Sequence, residues 1–155
     1  MNMNKQFKRI ISKIPTLQKR LDASPLIPVI DSKHIPQQGI YVFFEKGKPM
    51  YVGRSNRMSS RIREHFQPTS QNTSAPFAFN IAKKQAAQEG IDIGHKRTEL
   101  EKDSVFQQLF VEAKKRVSNM AVKVIEVSDP VFQTMFEVYA SLYYGTHEFN
   151  DFATY

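Results

Sequence analysis

Arg54, Arg57, Arg61 and His65 fall within one twelve-residue stretch, and the last three recur at every fourth position. That spacing lines side chains along one face of a helix. The planar fork of arginine suits phosphate oxygens, so the chemistry on offer is phosphate binding. The competing reading is an ordinary solvated basic face. Just upstream, in GIYVFFEKGKPMYVGRS, Tyr41 follows Gly39 by two residues and Tyr51 precedes Gly53 by two. Two such tyrosines could pack a hairpin or line a site, whereas Gly39 and Gly53 read as positions where another group approaches the backbone closely. Far downstream Glu137 interrupts an apolar run of Met135, Phe136, Val138 and Tyr139. A carboxylate at the margin of so apolar a segment needs a partner, a metal or access to water.

Other chemistries are excluded by composition. The 155 residues include no Cys, which removes disulfides, thiolate metal sites and a cysteine nucleophile, and fits a cytoplasmic location. There is no phosphate-binding glycine loop, dinucleotide fingerprint, zinc-type His pair or nucleophile elbow. No apolar run approaches the ~20 residues of a membrane span, and the N-terminus lacks the apolar core and cleavage site of a signal peptide, so no membrane association is expected. The net charge of +7 is lopsided: residues 1–66 hold 13 Lys/Arg against 4 Asp/Glu, and residues 67–155 hold 9 against 11. Such a field favours a polyanion, DNA or RNA.

The elements that must position these residues follow from periodicity. Phe7, Ile10, Ile11 and Ile14 mark a helix that Pro15 should end or kink, with a short turn after it. Prolines 25, 28 and 36 predict an extended connecting loop over 24–38. GIYVFFE and PMYVGRS read as two strands joined at Gly47–Pro49. A helix capped near Asn56 should bury Met58, Ile62 and Phe66, and Pro68 closes it. Two further helices are expected near 77–89 and 105–117, with an exposed polar stretch between them. A third strand, AVKVIEV, leads into a helix with Asp129 as cap, Pro130 at its first position and Gly145 as stop. The tail from Thr146 is expected to be irregular. The fold class is therefore α/β (α+β): a small, three-stranded, mainly antiparallel sheet flanked by helices.

With these residues in this order, the chain resembles the GIY-YIG nuclease superfamily. The resemblance rests on GIY at 39–41 and YVG at 51–53, a basic residue just after (Arg54), an arginine on the next helix (Arg61), a glutamate on a later helix (Glu137) and an asparagine beyond it (Asn150). An Arg followed four residues later by His, as in Arg61 and His65, is similar to the restriction-endonuclease branch. It covers 38–66 and 120–151 of a single 1–155 domain, and 1–37 is an N-terminal helical extension and linker. Residues 67–119 are a helical insertion that accounts for the 76 positions between Arg61 and Glu137. The chain departs from the pattern in Val52, which replaces the usual Ile, and in the absence of proline around Asn150.

The resemblance implies a divalent-metal-dependent endonuclease that hydrolyses DNA phosphodiester bonds, with a restriction-like or defence role. Glu137 would hold one Mg²⁺ or Mn²⁺ per site. Tyr41, Tyr51, Arg61, His65 and Asn150 would form the catalytic set, with either Tyr41 or His65 as the base. Arg54 and Arg57 would bind substrate phosphate. A homodimer would let two sites cut both strands of a duplex. The alternative is a non-catalytic nucleic-acid-binding module on the same fold.

Overall fold

A computed structural model describes residues 3–152. The first two residues of the expected N-terminal extension and the last three of the tail lie outside this range. Helix α1 (Lys5–Ala23) is capped by Asn4, whose side chain accepts from the amides of Gln6 and Phe7. It does not end at Pro15 but continues through it to Ala23. Pro15 is exposed, and a proline removes only one intrahelical donor. The buried stripe of Ile10, Ile14, Gln18 and Leu21 continues across it, and packing of that face sustains the helix.

The sheet has four strands where three were expected. Ile27–Pro28 (β1), inside the expected loop, pairs antiparallel with Val122 and Ala121, and a 3-10 turn follows over Val29–Asp31. Strands β2 (Gly39–Glu45), β3 (Lys48–Ser55) and β4 (Ala121–Glu126) complete the antiparallel order β1-β4-β2-β3. β1 sits at an edge, where Pro28 leaves no central ladder bond unmade. At the other edge lies β3.

Register decides which residues share a face. Tyr41 pairs with Gly53 and Phe43 with Tyr51, so these four point one way. Against them pack α2 (Met58–Glu64), α3 (Pro76–Gln88) and α5 (Ser104–Ser118), which bury Ile62, Phe77, Phe79 and Phe106. Ile40, Val42, Val52 and Arg54 point the other way, where α1 and α6 (Pro130–Tyr144) supply Ile14, Leu21, Phe136 and Ala140.

The rest of the chain follows local rules with small corrections. Asn56 is not the cap of α2; that position is Arg57, and the Asn56 amide oxygen accepts from Gln133 instead. The stretch between α3 and α5 contains a short helix, α4 (Arg97–Leu100), which buries Leu100. As expected, the Asp129 side chain accepts from Phe132 N, Pro130 opens α6, and Gly145 closes it in the left-handed region at φ 67°. The tail is not loose: Thr146, Phe149 and Asn150 are buried. No helix among the described residues is long and apolar enough to cross a membrane.

Candidate active site

The stripe Arg57, Arg61, His65 does not lie along a single level of the surface. A step of four residues turns the helix by about 40° beyond a full turn, so each member sits deeper than the last. Arg57 is exposed, the Arg61 side chain is 21% exposed, and His65 is fully buried. His65 thus leaves the basic surface and enters the site floor.

There it meets Tyr41. The phenol oxygen and His65 Nε2 share a 2.9 Å hydrogen bond. His65 Nδ1 is buried without a partner among the described residues. Burial, with the charge of Arg61, holds the imidazole well below the usual histidine range, so it is neutral near pH 7. Burial also holds the Tyr41 phenol well above its ordinary range, with Tyr51 and Glu137 pushing the same way. Arg61 opposes this by charge and by hydrogen bonding. Desolvation outweighs Arg61 here, so burial favours the neutral phenol.

The motif glycines have steric causes. A Cβ on Gly53 would stand 2.3 Å from both Cζ and Oη of Tyr41, whose ring lies across that backbone. A Cβ on Gly39 would stand 1.9 Å from the Ile125 carbonyl, and its φ of +150° is itself strained for other residues. Tyr51 stacks on Phe77 of α3, with centroids 4.8 Å apart and planes 12° apart, and meets the His65 ring edge-on. Burial pushes its phenol up to about 12. Phe77 carried no signal in the sequence as a site residue, yet it forms the wall behind Tyr51.

Arg61 is held from two sides. Its Nη1 donates to Glu64 Oε2 at 3.0 Å and to the Ser74 carbonyl at 2.9 Å. Glu64 also pairs with Arg57, so that arginine is engaged rather than free for phosphate. The loop bearing Ser74 is pinned by Lys114 of α5, whose buried ammonium donates to the carbonyls of Pro68 at 2.6 Å and Ser70 at 3.0 Å. Neither Glu64 nor Lys114 was singled out in the sequence, although Glu64 sits at i+3 from Arg61, a spacing that pairs side chains.

From the opposite face of β3, Arg54 Nε donates to Glu137 Oε2 at 3.0 Å. Glu137 is the carboxylate that needed a partner, and Arg54 is that partner. Burial raises the Glu137 pKa, and Arg54 opposes the rise. The Glu137 charge also bears on both phenols, as does that of Arg61, so this edge of the sheet gathers groups from both faces. No cluster of three or more His, Asp or Glu that could hold a metal occurs among the described residues. A single carboxylate that already attracts a cation fits Mg²⁺, which takes one or two carboxylates and fills its shell with water and phosphate oxygens.

Asn150 lies at the back of β3. Its Nδ2 donates to the Val52 carbonyl at 2.7 Å and its Oδ1 accepts from the Val52 amide at 3.0 Å, while Thr146 Oγ1 donates to that Asn150 Oδ1. It clamps the residue between Tyr51 and Gly53, so its contacts position the strand. The tail is tied in turn to α3, where Asn80 donates to the Phe149 carbonyl.

No protein-family model matches the chain, and no solved structure matches it. A 32-residue stretch is 44% identical to UvrABC system protein C from Thermotoga petrophila, and to the same degree to that of another Thermotoga strain. The stretch covers 21% of this chain and 6% of the length of those curated relatives, so the likeness is local.

Proposed function

We propose that this chain is a divalent-metal-dependent endonuclease that hydrolyses DNA phosphodiester bonds with a GIY-YIG-like site. The observation that carries the reading is the convergence at β3 of a Tyr41–His65 hydrogen bond, an anchored Arg61 and the half-buried Glu137 carboxylate. A binding module needs no tyrosine bonded to a neutral buried histidine and no carboxylate under positive charge. The short likeness to UvrABC system protein C supports a nuclease-related reading.

Glu137 would hold one Mg²⁺ or Mn²⁺. When bound, the metal polarises the phosphate and stabilises the leaving oxygen. Arg54, beside Glu137, would contact a phosphate oxygen, as its place after the second motif implies. Arg61, fixed by Glu64 and the Ser74 carbonyl, binds the phosphate as negative charge develops; loss of one such preorganised donor costs on the order of 10²–10³ in rate. Tyr41 takes a proton from the attacking water while passing its own to His65 Nε2. No free phenolate is needed, which suits a phenol held far above neutrality, and His65 is thereby the ultimate base. Tyr51 remains a phenol and donates to the reacting groups.

Incubation of the protein with plasmid DNA and Mg²⁺ or Mn²⁺, beside EDTA and Glu137→Ala controls, tests the reading. Cutting by the wild type alone, abolished by EDTA, is expected. If neither protein cuts and both shift DNA, the binding module is the better reading.

A further inference from the structure

We propose that the outer face of α1 is a second docking surface for the phosphate backbone of duplex DNA, separate from the cleavage site. The proposal rests on the nuclease reading for its partner. The helix carries Lys5, Lys8, Arg9, Lys13, Lys19 and Arg20 against the single acid Asp22, a net +5 of the chain's +7. At about 100° per residue all six cations fall within an arc of about 140°, centred opposite the buried stripe of Ile10, Ile14, Gln18 and Leu21. Every one of them is exposed.

An ordinary solvated helix mixes signs and pairs its charges. Elsewhere in this molecule Arg54, Arg57, Arg61, Lys84, Arg97 and Arg116 are each in an ion pair. Among the described residues none of the six cations of α1 is. Asp22 does not neutralise them, because its carboxylate accepts from Tyr143, Tyr144 and Gln18 on the inward side. Arg9 and Lys13 do face Glu126 and Asp129 across a cavity of about 290 Å³. Lys5, Lys8, Lys19 and Arg20 face no such acids there. From Lys5 to Arg20 the helix runs ~22 Å, which matches about six phosphates of one strand at ~3.4 Å each.

Helix α1 packs beside α6 over β4, whereas the candidate site lies at β3 on the far side of α6. The surface adds affinity for duplex DNA without touching the chemistry.

The test is equilibrium binding in EDTA, across a salt series, of wild type and a Lys5→Gln/Lys8→Gln/Lys19→Gln/Arg20→Gln variant with a duplex of ~40 bp, beside single-turnover cleavage at saturating DNA. Each phosphate contact contributes ~0.9 to the slope of log affinity against log salt, so the slope for the long duplex should fall by about 3–4 while the saturating cleavage rate is unchanged. Equal slopes for both proteins on the long duplex overturn the proposal. So does a loss of the saturating cleavage rate, which would place α1 at the site, or variant-sensitive binding to anionic phospholipid vesicles without a change on DNA. If the wild type cuts no DNA yet the long-duplex slope falls, the docking surface stands and the cleavage reading fails. The variants are all exposed, and an unchanged melting temperature shows that the fold is intact.

Discussion

Gly53→Ala probes the closest approach in the site. The added Cβ would lie 2.3 Å from Cζ and Oη of Tyr41 and 2.6 Å from Cε2. Ordinary contact is ~3.4 Å or more, so the ring must retreat by about 1 Å. It has little room: Tyr41 is 1% exposed and its ring is edge-on to Phe43 and His65, with centroids 5.7 and 5.8 Å away. Overpacking of this kind costs ~1–3 kcal/mol. Retreat also breaks the 2.9 Å bond to His65, leaving a buried phenol and imidazole short of a partner at ~1–3 kcal/mol more. A loss near 3 kcal/mol in a chain of this size lowers the melting temperature by ~6–12 °C. Thermal melts of wild type, Gly53→Ala, Tyr41→Leu and the double variant give the cycle. Leucine has no atoms where Cζ and Oη stood, so the double variant should be more stable than the sum of the singles by ~1 kcal/mol or more. A Gly53→Ala protein melting within ~2 °C of wild type would refute the steric argument.

Further outcomes follow from the same contacts. His65 has its folded pKa well below that of the unfolded chain, so stability is full above about pH 6.5; below it the unfolded imidazole takes a proton the folded one refuses, and up to ~1.4 kcal/mol is lost per pH unit. Urea midpoints from about pH 7 to 5 should fall more steeply for wild type than for His65→Gln, and parallel curves would contradict the neutral buried histidine. Asn150→Asp keeps the acceptor for Val52 N but loses the donor to Val52 O, and should cost ~1–3 kcal/mol in a denaturant titration, where a neutral result would count against the clamp. Lys114→Met removes one ammonium and its two hydrogen bonds to carbonyls of the loop before Ser74, so amide exchange over 67–75 should quicken, whereas unchanged exchange would show that the loop is held by other contacts.

What the sequence made legible is what short-range rules control. The hairpin, the cap and stop of α6 and the buried stripe of α2 all depend on residues a few positions apart. β1 was illegible because two residues gain strand character only by pairing with Ala121 and Val122, over ninety positions away. Pro15 misled because its local cost is outweighed by a buried stripe that lies on another face of the helix. The spacing of Arg57, Arg61 and His65 gave a common side of a helix but not their depth, which comes from the 40° drift toward the core. Tyr41, Arg61, His65 and Glu137 were named from their order, and their charges and contacts meet at one edge of the sheet. The groups that hold them were not: Phe77, Ser74 and Lys114 lie within 67–119 and meet the site only through tertiary packing.

The proposed function requires His65 and Glu137 to work in one phosphodiesterase site. Single-turnover cleavage of a DNA duplex in Mg²⁺ by wild type, His65→Gln, Glu137→Gln and the double variant separates one catalytic unit from two independent groups. Members of one catalytic unit are non-additive, so each single should lose on the order of 10²–10³ or more, and the double should fall no more than ~10-fold below the slower single, near the EDTA floor. Wild-type rates for Glu137→Gln, or losses that simply multiply in the double variant, would contradict the claim.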